Sequence, residues 1–228
     1  MRIIFLILAF AAAASAQLTV LNTSSTDIQP AQMFYIEADL LVKPTSYANG
    51  GFQSYGYRTV YGLNKKTEVG INVFYTRNGT TSPIEANFAV KRQLFASEKH
   101  GIASTAGLTA YVPLNKSAGS RTVTVGYVNI SKTFDKLRGL RLTAGAYRAF
   151  NTGSDFGAKG GVTLAFEQPL FKRVSVLGDW SSGKNRFGYA AAGLNFALTK
   201  RQILTAAYNW GNSGAGNNFL SIYYSNTF

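Results

Sequence analysis

The chain of 228 residues is 46% hydrophobic and only 14% charged, which excludes a disordered protein, and it has no cysteine, which excludes disulfides and thiolate metal sites. Its net charge of +13 comes from basic residues spread along the whole chain, without the spacing of a zinc finger or an RNA-binding motif, so we expect no nucleic-acid partner. The 23 glycines, 13 tyrosines and 16 phenylalanines favour strands and tight turns, and after residue 15 no apolar run is long enough for a membrane-spanning helix.

The first sixteen residues have the pattern of an export signal. Arg2 precedes the apolar run IIFLILAFAAAA, and Ser15 and Ala16 supply the small residues that a signal peptidase accepts. The sequence therefore predicts a cleaved signal peptide at residues 1–16 and a mature chain that begins at Gln17. The alternative is a retained membrane anchor, which the shortness of the apolar run disfavours.

From residue 32 to residue 228 the chain divides into short segments in which every second residue is apolar. In FYIEADLLV, Phe34, Ile36 and Leu40 share one face of a strand, while Glu37 and Asp39 share the other. Charged side chains on that second face must meet water or ionic partners, because an apolar core would not accept them. About twelve segments repeat this pattern, and a misread hairpin would make the count ten or fourteen. They are residues 34–42, 52–63, 68–76, 83–91, 101–112, 121–130, 139–150, 160–168, 173–180, 187–198, 202–210 and 217–228.

The residues opposite the apolar face distinguish a membrane barrel from a soluble β-sandwich or lipocalin-like barrel. A soluble protein covers its outer face with long charged side chains, whereas the polar face here consists mainly of Gly, Ala, Ser, Thr and Asn. Such small side chains suit a crowded lumen, and aromatic residues near strand ends suit the interfacial girdles of a membrane barrel. Because an open sheet in lipid would leave backbone groups unpaired, the strands must close. The sequence predicts an all-β fold, a single closed antiparallel transmembrane β-barrel.

The last segment, LSIYYSNTF, carries the most specific local signal. It ends on an aromatic residue and places Leu220, Ile222, Tyr224 and Phe228 on one face. In this it resembles the terminal strand of bacterial outer-membrane β-barrel proteins of the small, porin-like kind, although Asn226 stands where that family usually has an aromatic residue. The resemblance implies that these four residues are read by the barrel-assembly machinery and that the exported chain resides in the bacterial outer membrane.

Connections between the segments are of two alternating kinds. One set is rich in Gly, Ser and Asn, and the other is basic and mostly short, as the periplasmic turns of such barrels are. An even number of strands puts both chain ends on the periplasmic side, so we interpret residues 17–31 as a periplasmic lead-in to a barrel of residues 32–228. We expect the basic turns to meet anionic headgroups of outer-membrane lipids. The residues assigned to the outer rim, near lipopolysaccharide phosphates or simply in solvent, are Lys116, Lys159, Lys184 and Arg186.

Charged residues within the strands face the lumen by the same alternation. Rings of charge set ion preference in channels, so we expect a porin-like passive channel for small polar solutes or ions. The alternative is that these residues pair across the lumen and fill it, which gives a closed-lumen structural or surface-interaction barrel without conduction. Twelve strands lie between filled eight-stranded barrels and open sixteen-stranded porins, so both hypotheses stay open. The predicted lumen-lining charges are Glu37, Asp39, Arg58, Glu68, Glu85, Lys91, Arg141, Glu167 and Asp179.

Residues suited to catalysis or metal binding are scarce. The one histidine, His100, lies in the basic connection ASEKHG, without the Ser-Asn arrangement that the outer-membrane phospholipase needs near its histidine. No nucleotide-binding motif is present, and the acidic residues are too scattered for a metal site. We therefore expect no enzymatic activity, no cofactor and no metal.

Overall fold

The computed structural model describes residues 19–228, so the predicted signal peptide at residues 1–16 and the predicted mature terminus at Gln17 lie outside the described residues. Twelve antiparallel strands follow one another around one sheet, which confirms the predicted fold class and strand number. In residues 19–228 no helix has both the length and the apolar character needed to cross a membrane. The strands are β1 (Phe34–Lys43), β2 (Phe52–Asn64), β3 (Thr67–Arg77), β4 (Ile84–Ser97), β5 (Ile102–Pro113), β6 (Val123–Phe134), β7 (Leu140–Phe150), β8 (Gly160–Phe171), β9 (Val174–Ser181), β10 (Tyr189–Ala197), β11 (Gln202–Gly211) and β12 (Phe219–Thr227).

The sheet closes where the first strand meets the last. β1 pairs antiparallel with β12, in a register that runs from Tyr35 opposite Thr227 to Val42 opposite Leu220. Beyond these pairs, the Phe228 N–H donates to the Phe34 carbonyl at 2.8 Å. Closure leaves no strand edge with unpaired backbone groups, which is what a sheet in lipid requires.

Three strands, β4, β6 and β8, run well past the segments that the sequence pattern predicts. β6 runs to Phe134 with no register shift against β7. β4 runs to Ser97, through residues that the alternation assigns to a basic connection, and its pairing with β5 shifts register between Gln93 and Phe95. β8 likewise runs to Phe171, with a register shift between Pro169 and Phe171. A β-bulge of this kind takes up one extra residue and breaks the alternation of faces, so a period-two pattern stops there while the hydrogen-bonded ladder continues.

The outer face of the barrel is apolar, which contradicts a soluble barrel with an inward apolar face. The side chains of Ile71, Val73 and Leu164 are 41%, 37% and 50% exposed, although a soluble core would bury them. Large apolar side chains exposed over an entire belt are stable only in contact with a partner or with lipid. Other strand residues of this belt are Tyr55, Tyr57, Phe88, Val90, Leu108, Val128, Ile130, Leu142, Val162, Phe166, Trp180, Leu194, Phe196, Tyr208 and Trp210.

The terminal strand presents its apolar residues to the same side. Leu220, Ile222, Tyr224 and Phe228 are all exposed on the outer face, as the sequence predicts. Their role as an assembly signal stays a prediction.

A charge placed in the middle of the belt tests the lipid-facing assignment. Ile71 lies near the centre of β3, and we expect Ile71→Arg to lower the free energy of unfolding by about 2–4 kcal/mol in lipid vesicles, because arginine is costly at the bilayer midplane. Leu63→Arg, at the basic end of β2, is the matched control and should cost at most about 1 kcal/mol. Equal losses for the two variants, measured by denaturant titration, would contradict the placement of the belt.

Candidate functional site

All nine charged residues that the sequence assigns to the lumen lie on the inner face of the wall. Glu37, Asp39, Glu68, Lys91 and Asp179 are buried. The other four are half-buried and belong to ion pairs inside the barrel; they are Arg58, Glu85, Arg141 and Glu167.

Two ion pairs join neighbouring strands of the wall. Arg58 on β2 lies 3.0 Å from Glu37 on β1, and the two residues are opposite each other in the register. Lys91 on β4 lies 3.0 Å from Glu68 on β3, again as direct cross-strand partners. Burying an unpaired charge is costly, and these two pairs neutralise four of the nine charged residues of the wall.

The lumen is not empty, because residues 19–31 lie inside it; we call them the inserted segment. Near the N-terminal end of the segment, the carboxylate of Asp179 on β9 accepts hydrogen bonds from the backbone N–H groups of Leu21, Asn22 and Thr23 at 3.2, 2.5 and 2.6 Å. Leu21 also packs in an apolar cluster with Leu177 of β9. Three consecutive backbone N–H groups therefore donate to one carboxylate. Hydrogen bonds to a charged acceptor are stronger than hydrogen bonds to a neutral one.

Further contacts fix the segment along its length. The Asn129 side chain on β6 donates to the Ser24 carbonyl at 2.7 Å, and the hydroxyls of Thr26 and Ser131 lie 2.5 Å apart. Arg141 on β7 bridges wall and segment, since its Nη1 lies 2.7 Å from Asp27.

Arg141 also binds Glu167 of β8 through its Nε atom. Near the entry of the segment, the Gln29 N–H donates to Glu68 at 2.6 Å and the Gln32 N–H donates to the Gly62 carbonyl at 2.8 Å. The segment is thus held by β2, β3, β6, β7 and β9, on several sides of the lumen.

This position differs from the periplasmic lead-in that the sequence suggests for residues 17–31. Its sequence has no periodicity, so no pattern indicates which surface it covers. The segment lies inside the barrel because the buried carboxylates and amides of the wall need hydrogen-bond partners, which a short polar segment can supply. The abundance of Thr, Ser and Asn in the segment, the same residue types that line the lumen, is the one signal that pointed there.

A second inward structure comes from the β9–β10 connection, residues 182–188. Arg186 makes a two-pronged ion pair with Glu85 on β4, with distances of 2.7 and 2.8 Å, and its guanidinium lies 5.2 Å from the centre of the Tyr111 ring. Burial by itself would lower the pKa of Arg186, but the hydrogen bonds and charge of Glu85 raise it above its usual value. Arg186 thus lies at the loop end of the barrel, where the sequence assigns it, but its side chain reaches inward across the mouth of the lumen.

The connection folds inward because its own polar groups are held there. The Asn185 side chain donates to the Tyr147 hydroxyl at 2.8 Å and to the Ala158 carbonyl at 2.6 Å. The neighbouring Phe187 ring packs against Tyr111, with ring centres 4.9 Å apart. An isolated charge pattern does not predict such a loop conformation, since it depends on contacts with β5 and β7.

Between the inserted segment and the β9–β10 connection lies a cavity of about 580 Å³. Its walls include Thr19 and Asn22 of the segment, Arg186 of the connection, and residues of β1 to β6. Of the predicted lumen charges, those that line this cavity are Asp39, Arg58, Glu68, Glu85 and Lys91.

His100 lies away from this cavity, in the short turn between β4 and β5. Its carbonyl accepts a hydrogen bond from the Lys132 ammonium. Among residues 19–228 no group of histidine, cysteine and acidic side chains is arranged to hold a metal ion.

No protein-family model matches the sequence. No curated protein matches it either. Solved structures do: a structure described as KdgM porin superposes with a TM-score of 0.65 at 8% identity, over 85% of this chain and 99% of that chain. The COG4313 outer membrane channel from Pseudomonas putida F1 superposes with a TM-score of 0.55 at 14% identity, over 88% of this chain and 96% of that chain.

The chain therefore has the porin-like fold of bacterial outer-membrane β-barrels, and its apolar belt is that of a barrel embedded in a membrane. At these identities the likeness concerns the fold, and the lumen has to be interpreted from its own residues.

Asp179 is expected to hold residues 21–23 of the inserted segment in place. Hydrogen bonds to a charged group contribute about 1.5–3 kcal/mol each, so we expect Asp179→Ala to speed amide hydrogen exchange at residues 21–23 by tenfold or more. Asp135→Ala, in an exposed turn between β6 and β7, is the control. Unchanged exchange in Asp179→Ala, measured by mass spectrometry on the folded barrel in detergent, would show that other contacts hold the segment.

Proposed function

We propose that this protein is a porin-like passive channel of the bacterial outer membrane, which conducts small polar solutes or ions with a preference for cations. The observation that carries the proposal is the cavity of about 580 Å³ beside a charged wall, inside a barrel whose fold is shared with outer-membrane channels. The channel carries no turnover chemistry, consistent with the position of His100 in a turn remote from the cavity.

The preference for cations follows from the charges of the interior. Acidic side chains outnumber basic ones among the described residues that face the lumen. A low-dielectric wall focuses this field, which raises the local concentration of cations. The acidic members are Asp27, Glu37, Asp39, Glu68, Glu85, Glu167 and Asp179, and the basic members are Arg58, Lys91, Arg141 and Arg186.

The inserted segment sets the state of this channel. It fills the lumen beside β6, β7 and β9, so ions that pass through the cavity must also pass the segment or wait for it to move. The competing hypothesis, a closed-lumen structural or surface-interaction barrel, rests on the same segment and on the same ion pairs.

Conductance in planar bilayers separates the two hypotheses. We expect a chain that begins at Gln32, and so lacks residues 17–31, to give a larger unit conductance than the chain that begins at Gln17, because the deletion removes the material inside the lumen. The Asp135→Ala variant is the control for handling and should match the longer chain. Silent bilayers from both chains, with folded barrels shown by circular dichroism, would overturn the channel and support the closed barrel.

Ion preference is read from the reversal potential in a KCl gradient. We expect a sign that corresponds to potassium over chloride, and a shift towards chloride when Glu68 and Glu85 are both replaced by glutamine. Preference for chloride in the unmodified channel would contradict the role given to the acidic wall.

The barrel has three expected partners outside its lumen: membrane lipids, lipopolysaccharide and the barrel-assembly machinery. Outer-membrane lipids cover the apolar belt, and the exposed lysines of the loop end, Lys116, Lys159 and Lys184, meet the phosphates of lipopolysaccharide. The barrel-assembly machinery recognises the strand that ends at Phe228.

A further inference from the structure

Asp39 differs from the other acidic residues of the cavity because its carboxylate has no hydrogen-bond partner among residues 19–228. It lies on β1, is only 5% exposed, and faces the cavity. Neither of its carboxylate oxygens has a hydrogen-bond partner within the described structure. A buried carboxylate without a partner is strongly unfavourable, so a group that completes Asp39 would be bound with substantial affinity.

The other acids around this cavity already have partners. Glu68 binds Lys91 and the Gln29 N–H, and Glu85 binds Arg186. Glu37, two residues before Asp39 on the same inner face, binds Arg58 and accepts a hydrogen bond from the Tyr35 hydroxyl.

Two neighbouring carboxylates therefore share one arginine, and that arginine directs Nη1 to Glu37 and to the Thr19 hydroxyl, at 3.0 and 3.3 Å. Asp39 is left without an ion-pair partner of its own in the part of the chain that the structure describes. A cation is the group that this corner of the cavity lacks.

Aromatic side chains border the same carboxylate. Gly56 is the cross-strand partner of Asp39 on β2, and a Cβ atom built there would lie 2.8 Å from Asp39 Oδ2 and 2.3 Å from Phe74 Cε1. The absence of a side chain at Gly56 thus lets the Phe74 ring edge and the Asp39 carboxylate approach the backbone of β2 side by side. On the other side, Tyr223 of β12 is opposite Asp39 and also lines the cavity. A carboxylate beside aromatic rings is suited to an organic ammonium group, which gains from both the charge and the π faces.

We infer that Asp39, with Phe74 and Tyr223, forms a binding site for a protonated amine. The ammonium group has two possible sources. One is an amine solute that enters the cavity. The other is the α-ammonium of the chain itself once residues 1–16 are removed, since an α-amine is mostly protonated at pH 7. Thr19, the first residue that the structure describes, lines the cavity and contacts Arg58, and two residues of extended chain span at most about 7 Å.

The test uses calorimetric titration of methylammonium chloride into the folded barrel in detergent, which requires no conduction and so fails or succeeds independently of the channel. The chain beginning at Gln17 is prepared with a free and with an acetylated α-amine, checked by mass spectrometry. Asp39→Asn removes the charge with little change in shape. Asp135→Asn is the matched control, because it makes the same change in an exposed turn outside the cavity.

Saturable binding to both preparations, weakened at least tenfold in Asp39→Asn and kept in Asp135→Asn, would establish a site for amine solutes. Binding only to the acetylated chain, with the same dependence on Asp39, would establish that the free α-ammonium occupies the site. No saturable binding to either preparation, or equal binding by Asp39→Asn, would overturn the inference.

A second variant keeps the test decisive if Asp39→Asn folds poorly. Gly56→Ala retains every charge but places a methyl group between Asp39 and Phe74, so it should weaken methylammonium binding tenfold or more in the acetylated chain. Unchanged affinity in Gly56→Ala would mean that the amine binds elsewhere.

Discussion

The structure depends on one constraint: in lipid, every backbone N–H and C=O of the strands must be hydrogen-bonded within the protein. Pairing of β1 with β12 satisfies it, because the two strands that would otherwise be edges bind each other from Tyr35 to Val42. The same closure turns the apolar face towards the membrane. It also confines the inward-facing polar side chains of the strands to a narrow lumen, where they have limited access to water as a hydrogen-bond partner.

That narrow space explains why the interior is so thoroughly paired. Charges that a wide pore would leave to water are instead matched across strands, as Arg58 is with Glu37. The inserted segment satisfies others, most clearly Asp179, whose carboxylate binds three backbone N–H groups of a stretch more than 150 residues away in the chain. The wall and the segment therefore stabilise each other, and each would be left with unpaired polar groups alone.

Charge is distributed unevenly between the interior and the rest of the molecule. The chain as a whole carries +13, yet acidic side chains predominate inside the barrel. Basic residues gather in the turns, where lipid headgroups are near. The cavity itself is lined by three acidic and three basic side chains: Asp39, Glu68, Glu85, Arg58, Lys91 and Arg186. Among the three acids, Asp39 is the one whose carboxylate oxygens have no hydrogen-bond partner in the described structure.

The cavity is bounded by two elements that are not part of the wall. The inserted segment lies on one side and the β9–β10 connection on the other, where Arg186 binds Glu85 five strands away. Both elements are held largely by side-chain contacts, with only a few backbone hydrogen bonds at their ends joining them to the strands. They are thus the parts of the lumen that can move without breaking the closed ring of strands.

The sequence by itself determined the closed barrel, the inward direction of residues such as Glu37 and Asp179, and the outward belt of Ile71 and Leu164. This is because the two-residue period of a strand specifies the face on which each side chain lies. Tertiary structure alone decided what fills the interior. The segment at residues 19–31 has no periodicity, and the inward turn of Arg186 depends on Tyr147 and Glu85, which are distant in the chain. Alternation gives the side of the wall on which a residue lies, whereas its partner depends on register and on the chain that folds inside, which local pattern does not encode.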